Sequence, residues 1–274
     1  MEFPASTERV SILLRIYFNT TDHGGDFGGV DLPEIVFFDA NTGKETGKAV
    51  RAESGYYEAC KKIVAAIPPL QASPVLVFTL APDLMYSNGP TGYVTAANRL
   101  KTGEALLFRF MPPAYPENIS QNKDADVRYW SICVGDTLTN TPNTLPDRRI
   151  VKSDDEYVNF IILEKRDPDL EAIKAKAADM KINVIVWDGA KFGEPMMVFY
   201  RQMYIRSGYK YSVQNIPAFP PLNSLGLPDA TAEIKPENMA HVSLGEHGPS
   251  GVKMPSAAIL QESFDYAMMR MPMK

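Results

Sequence analysis

The chain has 274 residues, of which 45% are hydrophobic and 22% charged, and its formal net charge at pH 7 is −5. This is the composition of an ordinary globular protein of one or two domains, and it excludes a disordered or collagen-like chain. The acidic balance without a basic block argues against a nucleic-acid partner, and no apolar run approaches the roughly 18 residues of a membrane span.

Residues 1–120 are predicted to form a β-rich part with one helix. Residues 10–18 and 32–38 are rich in β-branched and aromatic side chains, which favour strands, and a glycine-rich loop lies between them. Apolar residues at helical spacing predict a helix from Ser54, as N-cap, to Ile67. Two further strands are predicted at residues 74–80 and 105–110.

Residues 121–215 are predicted to form a β-sandwich part with an inserted helix. The segment from Val127 to Cys133 alternates clearly, as a strand does. Asp167 and Pro168 suit the N-cap and the first position of a helix. Three further strands are predicted at residues 157–163, 182–187 and 196–205.

Residues 216–274 are predicted to be a proline-rich, extended tail. Seven prolines lie between Pro217 and Pro255, so regular structure should be sparse there. A short helix from Ala257 to Met269 is expected to close the chain. Such a tail either wraps a body that is already folded, so that the chain is a single domain, or links it to a neighbour.

The predicted elements indicate a mainly β fold. Predicted strands outnumber predicted helices, and most connections are irregular, which argues against a doubly wound sheet. We therefore predict a mainly β protein with a few helices (α+β), whose body is a β-sandwich or jelly roll with the proline-rich tail wrapped on it.

One strand motif resembles a known group of proteins. The segment from Arg128 to Cys133, which contains Tyr129-Trp130-Ser131, is similar to the aromatic-Trp-Ser strand of poorly characterised bacterial jelly-roll-domain proteins. In that group an arginine-containing strand follows near the end of the domain, and residues 198–204 match it. The resemblance covers about a third of the chain, implies a jelly-roll fold and transfers no catalytic residue. The helix after Asp167 and the tail depart from it.

Three histidines are the candidate metal ligands. His23 and Asp26 lie in the glycine-rich loop, and His241 and His247 lie in the tail. If the tail folds over the loop, three imidazoles and the Asp26 carboxylate could hold zinc, iron or copper. Because no pair of histidines has the spacing of a known metal motif, solvated loop histidines are the alternative.

Arginines beside aromatic residues are the candidate ligand-binding groups. A guanidinium binds a carboxylate, phosphate or sulfate with two parallel hydrogen bonds, and an aromatic face suits a sugar ring. In the alternative interpretation, arginines in a sheet pair with carboxylates or face solvent, and the aromatic rings are core. The predicted ligand-binding residues are Arg15, Arg109, Arg128, Arg201, Trp130 and Tyr200.

The sequence carries no signature of a known catalytic site. It has no Gly-x-Ser-x-Gly elbow and no glycine-rich phosphate loop, so no nucleotide cofactor is expected. Cys60 and Cys133 could be two buried thiols or one disulfide. Methionines near the C-terminus favour packing against a groove in this chain or in a second copy.

These patterns leave three functions open. The leading hypothesis is a non-catalytic β-sandwich protein of the bacterial envelope or exterior that binds a small anionic or carbohydrate ligand or a partner. The alternatives are a metal-dependent enzyme with the histidine site and a self-assembling subunit that oligomerises through its C-terminal tail. The N-terminus has no signal-peptide pattern, so a secreted or periplasmic protein would have a leader absent from this chain.

Overall fold

The structure, a computed structural model, describes residues 34–48, 75–80, 91–116, 124–136, 143–193, 195–219, 221 and 232–261. The contacts of the chain divide it into two compact units, residues 1–58 and 59–274. The predicted helix from Ser54 to Ile67 and the glycine-rich loop lie outside the described residues. Within those residues, no helix is long and apolar enough to cross a membrane.

The described part of the first unit is a β-hairpin. Strands β1 (Val36–Phe38) and β2 (Glu45–Lys48) pair in antiparallel fashion. The turn between them forms because one Asp39 carboxylate oxygen accepts hydrogen bonds from the backbone N–H groups of Asn41 and Thr42, at 3.0 and 2.7 Å. The strand predicted at residues 32–38 is thus present over Val36–Phe38.

The described part of the second unit contains two five-stranded sheets and a few short helices. The first sheet has the order β10-β9-β6-β12-β3 and the second β4-β5-β11-β7-β8. All pairs are antiparallel except β9 and β10, which are parallel. The strands are β3 (Val75–Leu76), β4 (Thr79–Leu80), β5 (Thr91–Asn98), β6 (Glu104–Phe110), β7 (Tyr129–Gly135), β8 (Asn143–Pro146), β9 (Val158–Glu164), β10 (Asn183–Trp187), β11 (Met196–Met203) and β12 (Ser250–Pro255), and the helices are α1 (Leu170–Asp179), α2 (Gly189–Phe192), α3 (Ala240–Ser243) and α4 (Ser256–Gln261).

The main core lies between the two sheets. Because side chains alternate along a strand, Leu106, Phe108 and Phe110 of β6 point to one face, where they join apolar side chains of the second sheet in a single buried cluster. Phe108 stacks on Phe160 of β9, with ring centroids 4.7 Å apart, and Phe110 contacts Tyr200 of β11 at 4.6 Å. Both sheets therefore contribute to one aromatic-rich interior.

Helices cover the other face of the first sheet. Ala105 and Leu107 of β6 face away from the main core and form a second cluster with Ile173 of α1 and Ile259 of α4. Since both faces of β6 and β9 are covered, these strands read as continuous apolar runs rather than as alternating ones. Helix α1 is the connection that a parallel pair such as β9 and β10 requires.

The prediction of a mainly β, sandwich-like protein with few helices is confirmed, whereas jelly-roll connectivity is not shown. The sequence does not predict β5 or β12 as strands. Their glycines and alanines have low β-propensity, and proline bounds β12. β12 belongs to the predicted tail, yet it pairs with β6 on one side and β3 on the other. Part of that segment is thus a central strand of the first sheet.

Candidate functional site

The predicted arginines lie on different surfaces of the second unit. Arg109 shares the face of β6 that the helices cover, because it alternates with the inward-facing Phe108 and Phe110. Arg201 lies on the outer face of the second sheet, since the preceding Tyr200 points into the main core. The two guanidinium groups therefore emerge on opposite outer faces of the sandwich. Arg15 lies outside the described residues.

Arg109 already has an acidic partner. Its Nη2 donates to an Asp155 carboxylate oxygen at 2.7 Å, and its guanidinium lies 4.0 Å from the centroid of the Tyr157 ring. Burial raises the pKa of the Asp155 carboxyl, but hydrogen bonds from Ser153 and Arg109 outweigh burial and lower it below its ordinary value. The Asp155 carboxylate thus neutralises the positive charge of Arg109.

Arg128 is exposed just before β7. Its guanidinium lies 5.9 Å from the ring centroid of Tyr204, whose backbone has a φ of 49° and whose side chain is 55% exposed. A guanidinium at this distance from an exposed ring gains little energy. Arg128 is therefore exposed to solvent.

Arg201 is partly buried, as Arg109 is, but it has no counter-ion among the described residues. Its cross-strand neighbours are Tyr93 of β5 and Ser131 of β7, and its guanidinium lies 5.1 Å from the centroid of the Tyr93 ring. Its Nε is buried and donates no hydrogen bond, and the described chain places no carboxylate within ion-pair distance of it. An unpaired, partly desolvated cation is costly to hold in a folded protein.

The surroundings of Arg201 are polar and aromatic. Tyr129 is 8% exposed; burial raises the pKa of its phenol, while a hydrogen bond with Ser131 and the charge of Arg201 lower it less strongly. Tyr129 is therefore a neutral phenol near pH 7.

Thr91, diagonal to Arg201 across β5 and β11, is also 8% exposed, and its hydroxyl has no hydrogen-bond partner within the described structure. Cys133, two residues after Ser131, is a buried free thiol, and Cys60 lies outside the described residues. The outer face thus holds a guanidinium and a hydroxyl with unused hydrogen-bonding capacity. We name the group of Thr91, Tyr93, Tyr129, Ser131 and Arg201 the Arg201 patch.

Trp130 and Tyr200 lie away from this patch. They are 1% and 0% exposed and belong to the core between the sheets, with ring centroids 6.1 Å apart. The Tyr200 hydroxyl accepts a hydrogen bond from Gln202 Nε2 at 2.8 Å. Because adjacent residues of a strand face opposite sides, Trp130 and Tyr200 cannot share the face of Ser131 and Arg201.

The two described histidines make separate contacts. His247 Nδ1 donates to the Met111 carbonyl at 3.0 Å, and its ring stacks on Tyr211 with centroids 3.8 Å apart. His241, at the start of α3, has a buried Nδ1 that makes no hydrogen bond with any described residue. Among the described residues, no three His, Cys, Asp or Glu side chains are placed to hold a metal ion. His23 and Asp26 lie outside them, so the four-residue metal site stays a prediction.

We expect the stability of the protein to fall in mild acid because of His247. Burial lowers the pKa of its imidazole, and the Met111 carbonyl and the Glu246 and Asp126 carboxylates offset this only in part. The unfolded chain then takes up the proton at a higher pH than the folded one. The contribution of His247 to stability is therefore fully present above the unfolded pKa of about 6.5 and is lost as the pH falls from there towards the folded pKa.

Urea unfolding at pH values from about 7.5 to 5.5 measures this effect. The variant His247→Phe keeps an aromatic ring for stacking but cannot titrate, so its stability should change less with pH than that of the original protein. Equal pH dependence in both proteins would contradict the assignment.

Comparison with known proteins adds one distant structural likeness. No family model and no curated protein matches this sequence. The fold resembles the crystal structure of an uncharacterised protein from Burkholderia cenocepacia, with a TM-score of 0.37 and 11% sequence identity. The match covers 67% of this chain and 36% of that one, so it spans only about a third of the Burkholderia protein. The chain is thus described by its own structure as a mainly β, sandwich-like protein.

Proposed function

We propose that this protein is a non-catalytic binding protein that holds a small anionic ligand on the outer face of its second sheet, at the Arg201 patch. The observation that carries the proposal is Arg201 itself, a partly buried guanidinium without a counter-ion in the described structure. Arg109, in contrast, has a carboxylate of its own chain. An anionic ligand would give Arg201 a negatively charged partner, as Asp155 does for Arg109.

The chemistry of the patch narrows the ligand class. A guanidinium presents its two Nη–H groups in a planar fork that matches a carboxylate, and a partly desolvated site strengthens this charge-assisted pair. The Tyr93 ring and the hydroxyls of Thr91 and Ser131 lie on the same face of the sheet. A sugar acid has both a ring and a carboxylate, so it matches Arg201, the Tyr93 ring and the Thr91 hydroxyl, whereas the Ser131 hydroxyl is fully buried and contacts Tyr129 and Cys133.

The proposal is tested with glucuronate by isothermal titration calorimetry. Arg201→Gln removes the charge and the fork and should weaken binding by about 10- to 100-fold, the value of one lost charge-assisted pair. Arg149→Gln is the charge-matched control, because Arg149 is exposed and lies after β8 rather than in the Arg201 patch. This variant should bind like the original protein.

Two further ligands separate the contributions of charge and ring. Glucose, which lacks the carboxylate, should bind far more weakly than glucuronate, and acetate, which lacks the ring, should bind weakly but depend on Arg201. If glucuronate shows no saturable binding, or if Arg201→Gln binds it as well as the original protein does, the proposal is wrong. The extracellular location and the C-terminal oligomer contact stay predictions from sequence.

A further inference from the structure

A polar cavity lies in the loop that follows β11. Its volume is about 300 Å³, and it is formed almost wholly by residues 205–215. The residues that matter for its chemistry are Arg206, Ser207, Gly208, Lys210, Ser212 and Asn215. Arg201 is not among its lining residues, so this cavity is distinct from the Arg201 patch.

The loop holds its shape through its own hydrogen bonds. Tyr209 N–H donates to the Arg206 carbonyl at 3.1 Å, and Gly208 within that turn has a φ of 77°, which a glycine adopts without strain. The Asn215 amide donates to the Lys210 carbonyl at 3.0 Å. Val213, which is fully buried, anchors the loop to the core by donating its N–H to Gln202 at 3.0 Å. The cavity is therefore built on an ordered loop.

Several backbone donors of this loop are unused. The N–H groups of Ser207, Gly208 and Lys210 donate to no acceptor in the described part of the chain, and all three residues line the cavity. Neighbouring N–H groups around a residue of positive φ form concavities that favour anions. The backbone thus provides donors without the cost of ordering long side chains.

The charge of the cavity is also positive. Lys210 has no carboxylate within ion-pair distance among the described residues, and its Nζ lies 5.1 Å from the Tyr211 ring. Arg206 donates from Nη2 to Asp126 Oδ1 at 2.7 Å and still has half of its side chain exposed. Two cations and one carboxylate leave one net positive charge beside the unused N–H groups.

We propose that the Arg206–Asn215 loop is a second binding site, which takes a tetrahedral oxyanion, either phosphate or sulfate. The oxygens of such an anion point in several directions and can accept from Lys210, Arg206 and the backbone N–H groups at once. A planar carboxylate has fewer acceptor directions and suits the fork of Arg201 better. The proposal does not rest on the function of the Arg201 patch.

The test is titration of the full chain with inorganic phosphate at constant ionic strength set by chloride. We expect saturable binding in the millimolar range, worth about 4 kcal/mol. Lys210→Gln should weaken it about fivefold or more, which corresponds to the loss of one charge-assisted contact. Lys101→Gln is the matched control, since Lys101 is an exposed lysine between β5 and β6, and it should leave phosphate affinity unchanged.

A second variant tests whether removing a negative charge beside the cavity strengthens phosphate binding. Asp126→Asn removes the carboxylate that competes for Arg206, so it should tighten phosphate binding. Absence of saturable phosphate and sulfate binding, or equal affinity in Lys210→Gln and the original protein, overturns the proposal. Arg201→Gln should bind phosphate normally; if it does not, the two sites are not distinct and the proposal of a second site is wrong. Glucuronate binding reports separately on the Arg201 patch.

Discussion

Replacing Phe108 with alanine should lower the free energy of unfolding by about 3–5 kcal/mol, the range for truncating a fully buried phenylalanine. Phe108 has no exposed surface. Its ring stacks on Phe160 at 4.7 Å and is tilted against Phe78 at 5.6 Å. The substitution removes both aromatic contacts and leaves a cavity between the two sheets, which packed neighbours can close only in part.

Urea unfolding followed by tryptophan fluorescence measures this loss, because Trp130 and Trp187 are both buried in the same core. Phe38→Ala is the control. Phe38 is 61% exposed, and its truncation should change stability by less than about 0.5 kcal/mol. A loss below about 1 kcal/mol for Phe108→Ala would show that the two sheets do not share the core described above.

Gly251→Ala should lower the free energy of unfolding by about 3 kcal/mol. Gly251 lies in the middle of the first sheet, opposite Phe108 of β6 and Leu76 of β3. A Cβ atom at this position would lie 2.2 Å from the Leu107 carbonyl oxygen and 2.7 Å from Phe108 Cβ. Neither atom is the end of a flexible side chain, so strand β6 or β12 must move.

The matched control is Gly189→Ala. At Gly189, in α2, the nearest atoms to an added Cβ are side-chain atoms of Trp187 at 3.4 and 3.6 Å, and its φ is not in the left-handed region. Alanine there fits and favours the helix, so stability should change by less than about 1 kcal/mol. Thermal unfolding of the two variants side by side gives the comparison. Similar melting temperatures would mean that β12 is not held between β6 and β3.

The outcome for the predicted site shows why sequence proximity misleads in a sheet. Trp130 is next to Ser131, and Tyr200 is next to Arg201, so the sequence suggests that the aromatic rings accompany the arginine. In a strand, neighbours point to opposite faces, so both rings belong to the core between the sheets, while Arg201 and the fully buried Ser131 lie on the other face of the second sheet. Tyr93, which does lie beside Arg201, belongs to a strand that the sequence does not predict.

The sequence does not indicate the anion site proposed at the Arg206–Asn215 loop either. Arg206, Gly208 and Lys210 match no phosphate-binding motif. The proposed anion site depends instead on which backbone N–H groups remain without an acceptor after folding. The only signal was local: a glycine between two basic residues just after a strand. Such a pattern is common in turns, so it becomes informative only with the hydrogen bonds of the folded loop.

Local patterns in the sequence were sufficient for the mainly β class, because alternation and β-branched or aromatic composition are properties of a few consecutive residues. They also located the strands that become β6, β7, β9, β10 and β11. The tertiary structure alone decided that β12 enters the middle of the first sheet, that Arg109 and Arg201 face opposite sides, and that Asp155 neutralises Arg109 while Arg201 has no counter-ion in the described chain. The physical reason is that strand order and charge pairing depend on contacts between residues that are distant along the chain. Every strand offers the same backbone N–H and C=O groups, so its own sequence does not specify which strand it will pair with.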